Sequence, residues 1–167
     1  VVLSGYFKNK KVNQKSILDL GTSSGIQAET LVNFFDKENI LCSDIDEEAV
    51  KFARKKGFNS IKSDLFENIE EKFDFIVFNA PYLPEHNHDK EKDTSGGRRG
   101  DEVILRFLNR TREKLNKDGK IFLLLSSLTP RAGIKKELKK QKQKIERIFE
   151  KKLFFEKLEV WIISHVF

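Results

Sequence analysis

Short apolar runs alternate with segments of helical periodicity along the whole sequence, and this alternation limits the fold more than any other feature. Ser16–Leu20 (SILDL) reads as a buried strand and Gly21–Gly25 as a turn. Ala28, Leu31, Val32 and Phe35 then recur at the i, i+3, i+4, i+7 spacing of one helix face. Ile40–Asp44 (ILCSD) predicts a second strand. Asp46 or Glu47 starts a helix carrying Ala49, Phe52 and Ala53, with Asp46 as its cap, and Gly57 ends it. Phe58–Ser63 predicts a third strand and Phe73–Asn79 (FDFIVFN) a fourth. After a long polar segment, Ala80–Gly100, the stripe Val103, Ile104, Phe107, Leu108, Thr111 and Leu115 predicts another helix. Asp118-Gly119 predicts a turn into strand Lys120–Ser126, and Pro130 to about Gln143 a basic helix. Ile145–Phe154 and Leu158–His165, with no helix between them, predict an antiparallel hairpin. Strands that alternate with helices and are continuously apolar predict a mostly parallel sheet covered on both faces. The expected fold class is therefore α/β. One doubly wound domain spans residues 1–167, with a mostly parallel seven-stranded sheet closed by a C-terminal antiparallel hairpin.

Composition narrows the classes. The 167 residues suit one core, and fifteen Phe supply enough apolar material to exclude general disorder. The longest apolar runs, near Phe75–Phe78 and Ile121–Leu125, fall far short of the ~20 residues needed to cross a bilayer, so no membrane role is expected. The single cysteine, Cys42, excludes an internal disulfide framework and a Cys-rich zinc site, and its mid-strand position predicts a core residue. Trp161 in the last strand is expected in core or edge packing. No secretory signal opens the sequence, and the expected location is cytoplasmic. There is no Met, even at position 1, so the sequence is expected either to start inside the natural chain or to have lost its initiator. Net charge is +6, which suits nucleic-acid or ribosome-associated partners, or equally a Lys- and Glu-rich solvated surface of the thermophile kind. The lysines between Lys135 and Lys152 are read as a solvated face that could also help dock an RNA-rich assembly.

In doubly wound sheets ligands bind beyond the carboxyl ends of the strands. The first strand runs into Asp19-Leu20-Gly21-Thr22-Ser23-Ser24-Gly25, where the glycines permit a tight backbone and close ligand approach. The second strand ends at Asp44, followed by Ile45, and a carboxylate about 20 residues after such a turn can accept both ribose hydroxyls. The third ends at Asp64-Leu65, where a carboxylate can take an adenine amino group. The third glycine of a dinucleotide fingerprint is missing. Asp19 would also oppose a pyrophosphate, whereas it suits the ammonium group of S-adenosylmethionine. The fourth strand ends in Asn79-Ala80-Pro81-Tyr82-Leu83-Pro84, and an amide at the end of a buried strand has to be paired or functional. His86, His88 and Asp89 read as a polar loop that fits substrate-peptide recognition better than a metal, and no metal site is expected. Arg98 and Arg99 are either solvated or contacts for carboxylate or phosphate groups.

Taken together, DLGTSSG, CSD, SDL and NAPYLP resemble a class I S-adenosylmethionine-dependent methyltransferase of the subgroup that methylates planar nitrogens through a D/N-P-P-Y motif. Within it the chain is similar to the HemK-type release-factor glutamine methyltransferases. Gly96 to Val103, followed by Arg106-Phe107, matches the glycine-rich segment of the archaeal and eukaryotic branch. The resemblance covers nearly the whole chain and implies a Rossmann-like domain that transfers methyl to the amide nitrogen (N5) of the glutamine in a release factor's Gly-Gly-Gln motif. It implies a catalytic Asn79-Ala80-Pro81-Tyr82 stretch. It also implies a cofactor site of Asp19, Gly21, Thr22, Gly25, Asp44, Ile45, Asp64, Leu65 and Asn79. Ala80 stands where the family has Pro, but the group needed there is a backbone carbonyl, which Ala retains, and Pro81 still holds it extended. The family also has a Pro-containing acidic-Ser stretch that closes over the cofactor ahead of the first helix. This sequence begins at Val1, inside that helix, which implies a truncated or missing lid and lowered cofactor affinity. A small zinc-binding activator subunit is implied as a heterodimer partner at the edge strand Phe58–Ser63, an edge that needs covering. The alternatives are a nucleic-acid adenine-N6 or guanine-N2 methyltransferase and a non-catalytic S-adenosylmethionine-binding subunit.

Overall fold

The computed structural model describes residues 2–81 and 100–166. Among them seven strands form one sheet in the order β3-β2-β1-β4-β5-β7-β6. The elements run α1 (Val2–Phe7), β1 (Ile17–Leu20), α2 (Ile26–Leu31), β2 (Ile40–Asp44), α3 (Glu47–Lys55), β3 (Asn59–Lys62), β4 (Phe73–Asn79), α4 (Glu102–Lys114), β5 (Leu115–Ser126), α5 (Ala132–Lys140), β6 (Gln143–Lys152) and β7 (Lys157–His165). A short 3-10 turn, Lys37–Asn39, leads into β2. The expected α/β class, with a mostly parallel sheet and an antiparallel close, is borne out. The chain divides into two compact units, one comprising residues up to Phe78 with Lys114–Gly119, the other Asn79–Glu113 with Lys120–Phe167.

In the first unit β1 lies between β2 and β4, parallel to both, and all four of its residues are buried, as a continuous apolar run requires. Phe7 of α1 is fully buried against Phe35 and Phe75, edge-on, with ring centroids 5.0 and 5.1 Å away. Such ring pairs contribute about 1 kcal/mol each beyond their buried area, which ties the short first helix to the sheet. Lys114 is buried because its ammonium donates to the Ile69 and Glu70 carbonyls. In the second unit β7 pairs antiparallel with both β5 and β6, and a register shift between Ile145 and Arg147 bulges β6.

Several expectations are corrected. Val32 and Phe52 were expected on buried helix faces and are exposed; the apolar contacts of α3 come from Val50 and Ala53. Phe52 instead carries the Lys56 ammonium 4.5 Å above its ring. The α2 helix ends at Leu31, although Phe35 beyond it is still buried. Strand β5 starts at Leu115, so the Asp118-Gly119 pair lies within the strand and Leu115 does not close the helix. The β6–β7 hairpin begins two residues earlier than expected, at Gln143. Cys42 and Trp161 are core residues as expected, and Asp46 caps α3 by accepting the Glu48 N–H at 3.0 Å.

Candidate active site

The carboxyl ends of β1, β2 and β3 all lie in the first unit, and the expected cofactor residues Asp19, Gly21, Thr22, Gly25, Asp44, Ile45, Asp64 and Leu65 gather there. The turn after β1 is held in left-handed backbone at Gly21 (φ 67°), Ser23 (φ 45°) and Gly25 (φ 75°). The positive φ selects glycine at Gly21, since L-residues avoid it; a Cβ there would meet the Phe78 ring only at 3.6 Å, an ordinary contact. Thr22 N–H donates to the Ser43 carbonyl at 2.9 Å, which docks the turn on the end of β2. Asp44 reinforces it, for its carboxylate accepts the Ser23 N–H at 2.8 Å and the Asp46 N–H at 3.0 Å. Each of those oxygens keeps a lone pair, so the carboxylate can still receive hydroxyl donors. Ile45, 58% exposed, offers an apolar surface beside it.

Asp19 is fully buried. The Thr22 hydroxyl donates to its Oδ2 at 2.7 Å, while Oδ1 is buried without a hydrogen-bond partner. Burial pushes its carboxyl up to about 6, an effect that the Thr22 hydroxyl and the Ala28 backbone N–H reduce and the nearby Asp44 charge reinforces. Burial likewise pushes the Cys42 thiol up to about 12, which leaves it inert.

After β3, Leu65 holds a left-handed φ of 51°, a conformation that costs a branched residue roughly 1–2 kcal/mol. Ser63 and Asn68 brace it. The Ser63 hydroxyl donates to the Leu65 carbonyl at 2.8 Å and accepts the Asn68 N–H at 3.0 Å. Lys56 braces the first turn, donating to the Ser24 carbonyl at 2.9 Å and pairing with Glu29 at 2.8 Å. Sequence reasoning missed these three braces. Only the Ser63-to-Asn68 spacing around Asp-Leu hinted at a side-chain-closed turn.

Strand β4 pairs with β1 so that Phe78 stands opposite Leu20. Asn79 is exposed as the last residue of β4, Ala80 is 1% exposed and Pro81 is half-buried. Tyr82, His86, His88, Asp89, Arg98 and Arg99 lie outside the described residues.

Residues 2–155 match the family described as the methyltransferase small domain. The chain belongs to this family. A methyltransferase of Methanocaldococcus jannaschii, named for protein N5-glutamine methylation, is 34% identical over 161 residues, covering 89% of this chain and 81% of that protein. The release factor glutamine methyltransferase of Rhodopirellula baltica is 30% identical over 146 residues, and the match takes in 75% of this chain and 49% of the relative's length. Among solved structures, the E. cuniculi Mtq2–Trm112 complex, responsible for methylation of the eRF1 termination factor, superposes with a TM-score of 0.76 at 25% identity, covering 99% of this chain and 93% of that one. The resemblance drawn from the sequence motifs is thereby borne out. The small-domain methyltransferases are enzymes, and the sequence resemblance implies S-adenosylmethionine as the methyl donor. The residues present fit it, because Asp19 Oδ1 is a buried anionic acceptor without a partner, suited to an ammonium group.

Proposed function

We propose that this chain methylates the side-chain amide nitrogen (N5) of the glutamine in the Gly-Gly-Gln motif of a peptide chain release factor. One observation carries the reading. Asn79 stands exposed at the end of a buried strand and is followed by Ala80 and Pro81, in a chain whose relatives are named for glutamine methylation. An amide nitrogen is a poor nucleophile because its lone pair is delocalised into the carbonyl. The Asn79 side-chain oxygen accepts one amide N–H and the Ala80 backbone carbonyl accepts the other, which fixes the nitrogen for in-line attack. Both acceptors favour the positive charge that develops on that nitrogen. Pro81 holds Ala80 extended, so its carbonyl keeps its direction although Ala replaces the usual Pro. The sequence resemblance assigns Tyr82, which lies outside the described residues, the role of an aromatic wall for the planar amide. No strong base is required, since the proton leaves after transfer. Asp19 receives the donor's ammonium group, Asp44 its ribose hydroxyls and Asp64 its adenine amino group; Gly21, Thr22 and Gly25 shape the turn, and Ile45 and Leu65 flank the base. When bound, S-adenosylmethionine supplies an electrophilic methyl group on a sulfonium.

The whole chain acts as one methyltransferase domain in the cytoplasm, with a zinc-binding activator subunit at the β3 edge. Supporting the partner are the Trm112 subunit of the E. cuniculi complex and the shortness of β3, four residues at the end of the sheet order. The test is methyl transfer from labelled S-adenosylmethionine to the release factor, with the activator present. Asn79→Ala is expected to lower the rate by roughly 100-fold or more while the cofactor still binds. Changing the acceptor glutamine is expected to abolish transfer. Cofactor binding with no transfer to the release factor would overturn the reading in favour of a nucleic-acid substrate or a non-catalytic subunit.

A further inference from the structure

A second concave surface lies wholly within the second unit, a cleft of about 680 Å³ between α4, α5 and the start of β6. Arg112, Lys135, Lys139 and Lys142 ring it, and among the described residues no acidic side chain lines it. Among the described residues none of these four cations is in an ion pair, although the neighbouring Lys140 is paired with Glu137. Four uncompensated like charges around one cleft repel one another, and an anion relieves that cost. Between the cations the lining is apolar, formed by Leu138, Ile145 and Val166. Gln143 completes the wall. It is 5% exposed; the Thr111 hydroxyl, which donates to the Leu108 carbonyl at 2.9 Å, meets the Gln143 side-chain amide at 3.1 Å, and the amide's other polar atom is buried without a partner. A buried amide atom left without a partner is costly, and a hydrogen-bonding group on a ligand removes that cost.

This set of groups matches one chemistry. A cationic rim takes phosphates, an apolar floor takes a flat ring, and the open atom of the Gln143 amide takes a polar group on the ring's edge. The volume lies within the ~300–1,000 Å³ range of small-ligand sites, enough for a nucleotide. A run of acidic residues would use the cations but leave the apolar floor uncovered. We propose that this cleft binds single-stranded RNA, seating one nucleotide with its base on the Leu138–Ile145–Val166 floor and its phosphates on Arg112, Lys135, Lys139 and Lys142. The site is separate from the residues assigned to methyl transfer, and it would tether the enzyme to an RNA-bearing assembly.

The test is fluorescence anisotropy with a labelled oligouridylate of about ten nucleotides, titrated at several salt concentrations. The triple variant Arg112→Gln/Lys135→Gln/Lys139→Gln is expected to weaken binding at least tenfold. It should also flatten the salt dependence by about 2 in log–log slope, at roughly 0.7 per neutralised phosphate. Lys136→Gln/Lys144→Gln/Lys151→Gln removes the same charge from exposed positions outside the cleft and is expected to change affinity less than threefold. Equal losses in both variants, or equally tight binding of a polyglutamate peptide, would overturn the proposal. On the unaltered protein, the Gln143 side-chain amide signal is expected to shift saturably with the oligonucleotide. Shifts that spare Gln143 would overturn it independently of how the variants fold. Methyl transfer is not read in either measurement, so failure here leaves the proposed reaction standing.

Discussion

Asp19 in β1 and Glu159 in β7 are both buried carboxylates, held in opposite ways. Both oxygens of Glu159 are engaged. Oε1 pairs with Arg131 at 3.0 Å, and Oε2 accepts the Trp161 indole N–H at 2.8 Å. Arg131 also lies over the Trp161 ring, 5.9 Å from its centroid. Asp19 has only neutral donors facing it, the Thr22 hydroxyl and the Ala28 N–H, and its Oδ1 makes no hydrogen bond. A buried charge with a charged partner and a donor on each oxygen belongs to the fold, whereas one left incomplete is stabilised only when a cation arrives. Strand β7 therefore completes its own electrostatics, and the end of β1 leaves them for a ligand to complete.

The largest effect expected to test that contrast is at Asp19. Asp19→Asn should weaken S-adenosylmethionine about 100-fold by calorimetry, close to 2.7 kcal/mol. In the same variant the ligand-free protein should become more stable at pH 7. Holding the native carboxyl at about 6 instead of 3.8 corresponds to about 3 kcal/mol of stability lost once the group is ionised. A new buried amide N–H2 offsets part of that, leaving a gain of about 1–2 kcal/mol. A variant less stable than the native chain would break the contrast, because Asp19 would then be a structural carboxylate like Glu159.

Glu159→Leu is the reciprocal change. It strands Arg131 and leaves the Trp161 N–H without its acceptor, and it should cost about 2–3 kcal/mol in denaturant unfolding. Cofactor affinity should stay within about twofold of native. Loss of cofactor binding in this variant would mean that β7 also supports the cofactor site, and the division of labour would fail.

Neither carboxylate's partner was visible in the sequence, and the reason is general. Periodicity reported the α4 stripe of Ile104, Phe107, Leu108 and Thr111 correctly, because each of these residues is buried as its spacing demands. The strand ends carrying Asp19, Asp44, Asp64 and Asn79 were legible because polar residues interrupt apolar runs at the points where doubly wound sheets bind ligands. Spacing fixes a face but not its edges, so Val32 and Phe52, at the margins of their stripes, were placed inside and lie outside. Long-range pairs such as Lys56 to the Ser24 carbonyl and Arg131 to Glu159 join residues 32 and 28 positions apart, and no local pattern encodes them. The left-handed backbone of Ser23 and Leu65 was hidden for a similar reason, since those residue types carry no turn signal strong enough to mark it.

The pH dependence sharpens the same comparison. Because the native Asp19 carboxyl is raised, the folded protein binds the extra proton between about pH 4 and 6, and the ligand-free fold loses stability as pH rises through that window. The ammonium group needs the ionised form, so cofactor affinity should move the other way. It should strengthen about tenfold from pH 5 to pH 7, and Asp19→Asn should flatten the profile. An affinity independent of pH in the native chain would show that the ammonium is received elsewhere.

The smallest effect should come from the backbone that presents Asp19's neighbours. Gly25 sits at φ 75°, and a Cβ added there would meet only the Lys56 side chain, at 3.7 Å, an ordinary contact. Gly25→Ala therefore pays almost wholly in backbone conformation, about 1 kcal/mol of stability. Gly25→Asn should lose less, since Asn tolerates the left-handed region. Cofactor affinity should fall by a few-fold in the Ala variant and less in the Asn variant, following the backbone preference rather than side-chain size. If Asn proves worse than Ala, the limit at this position is room for the ligand against the turn, and the ligand's approach, not the backbone's handedness, selects glycine at the end of β1.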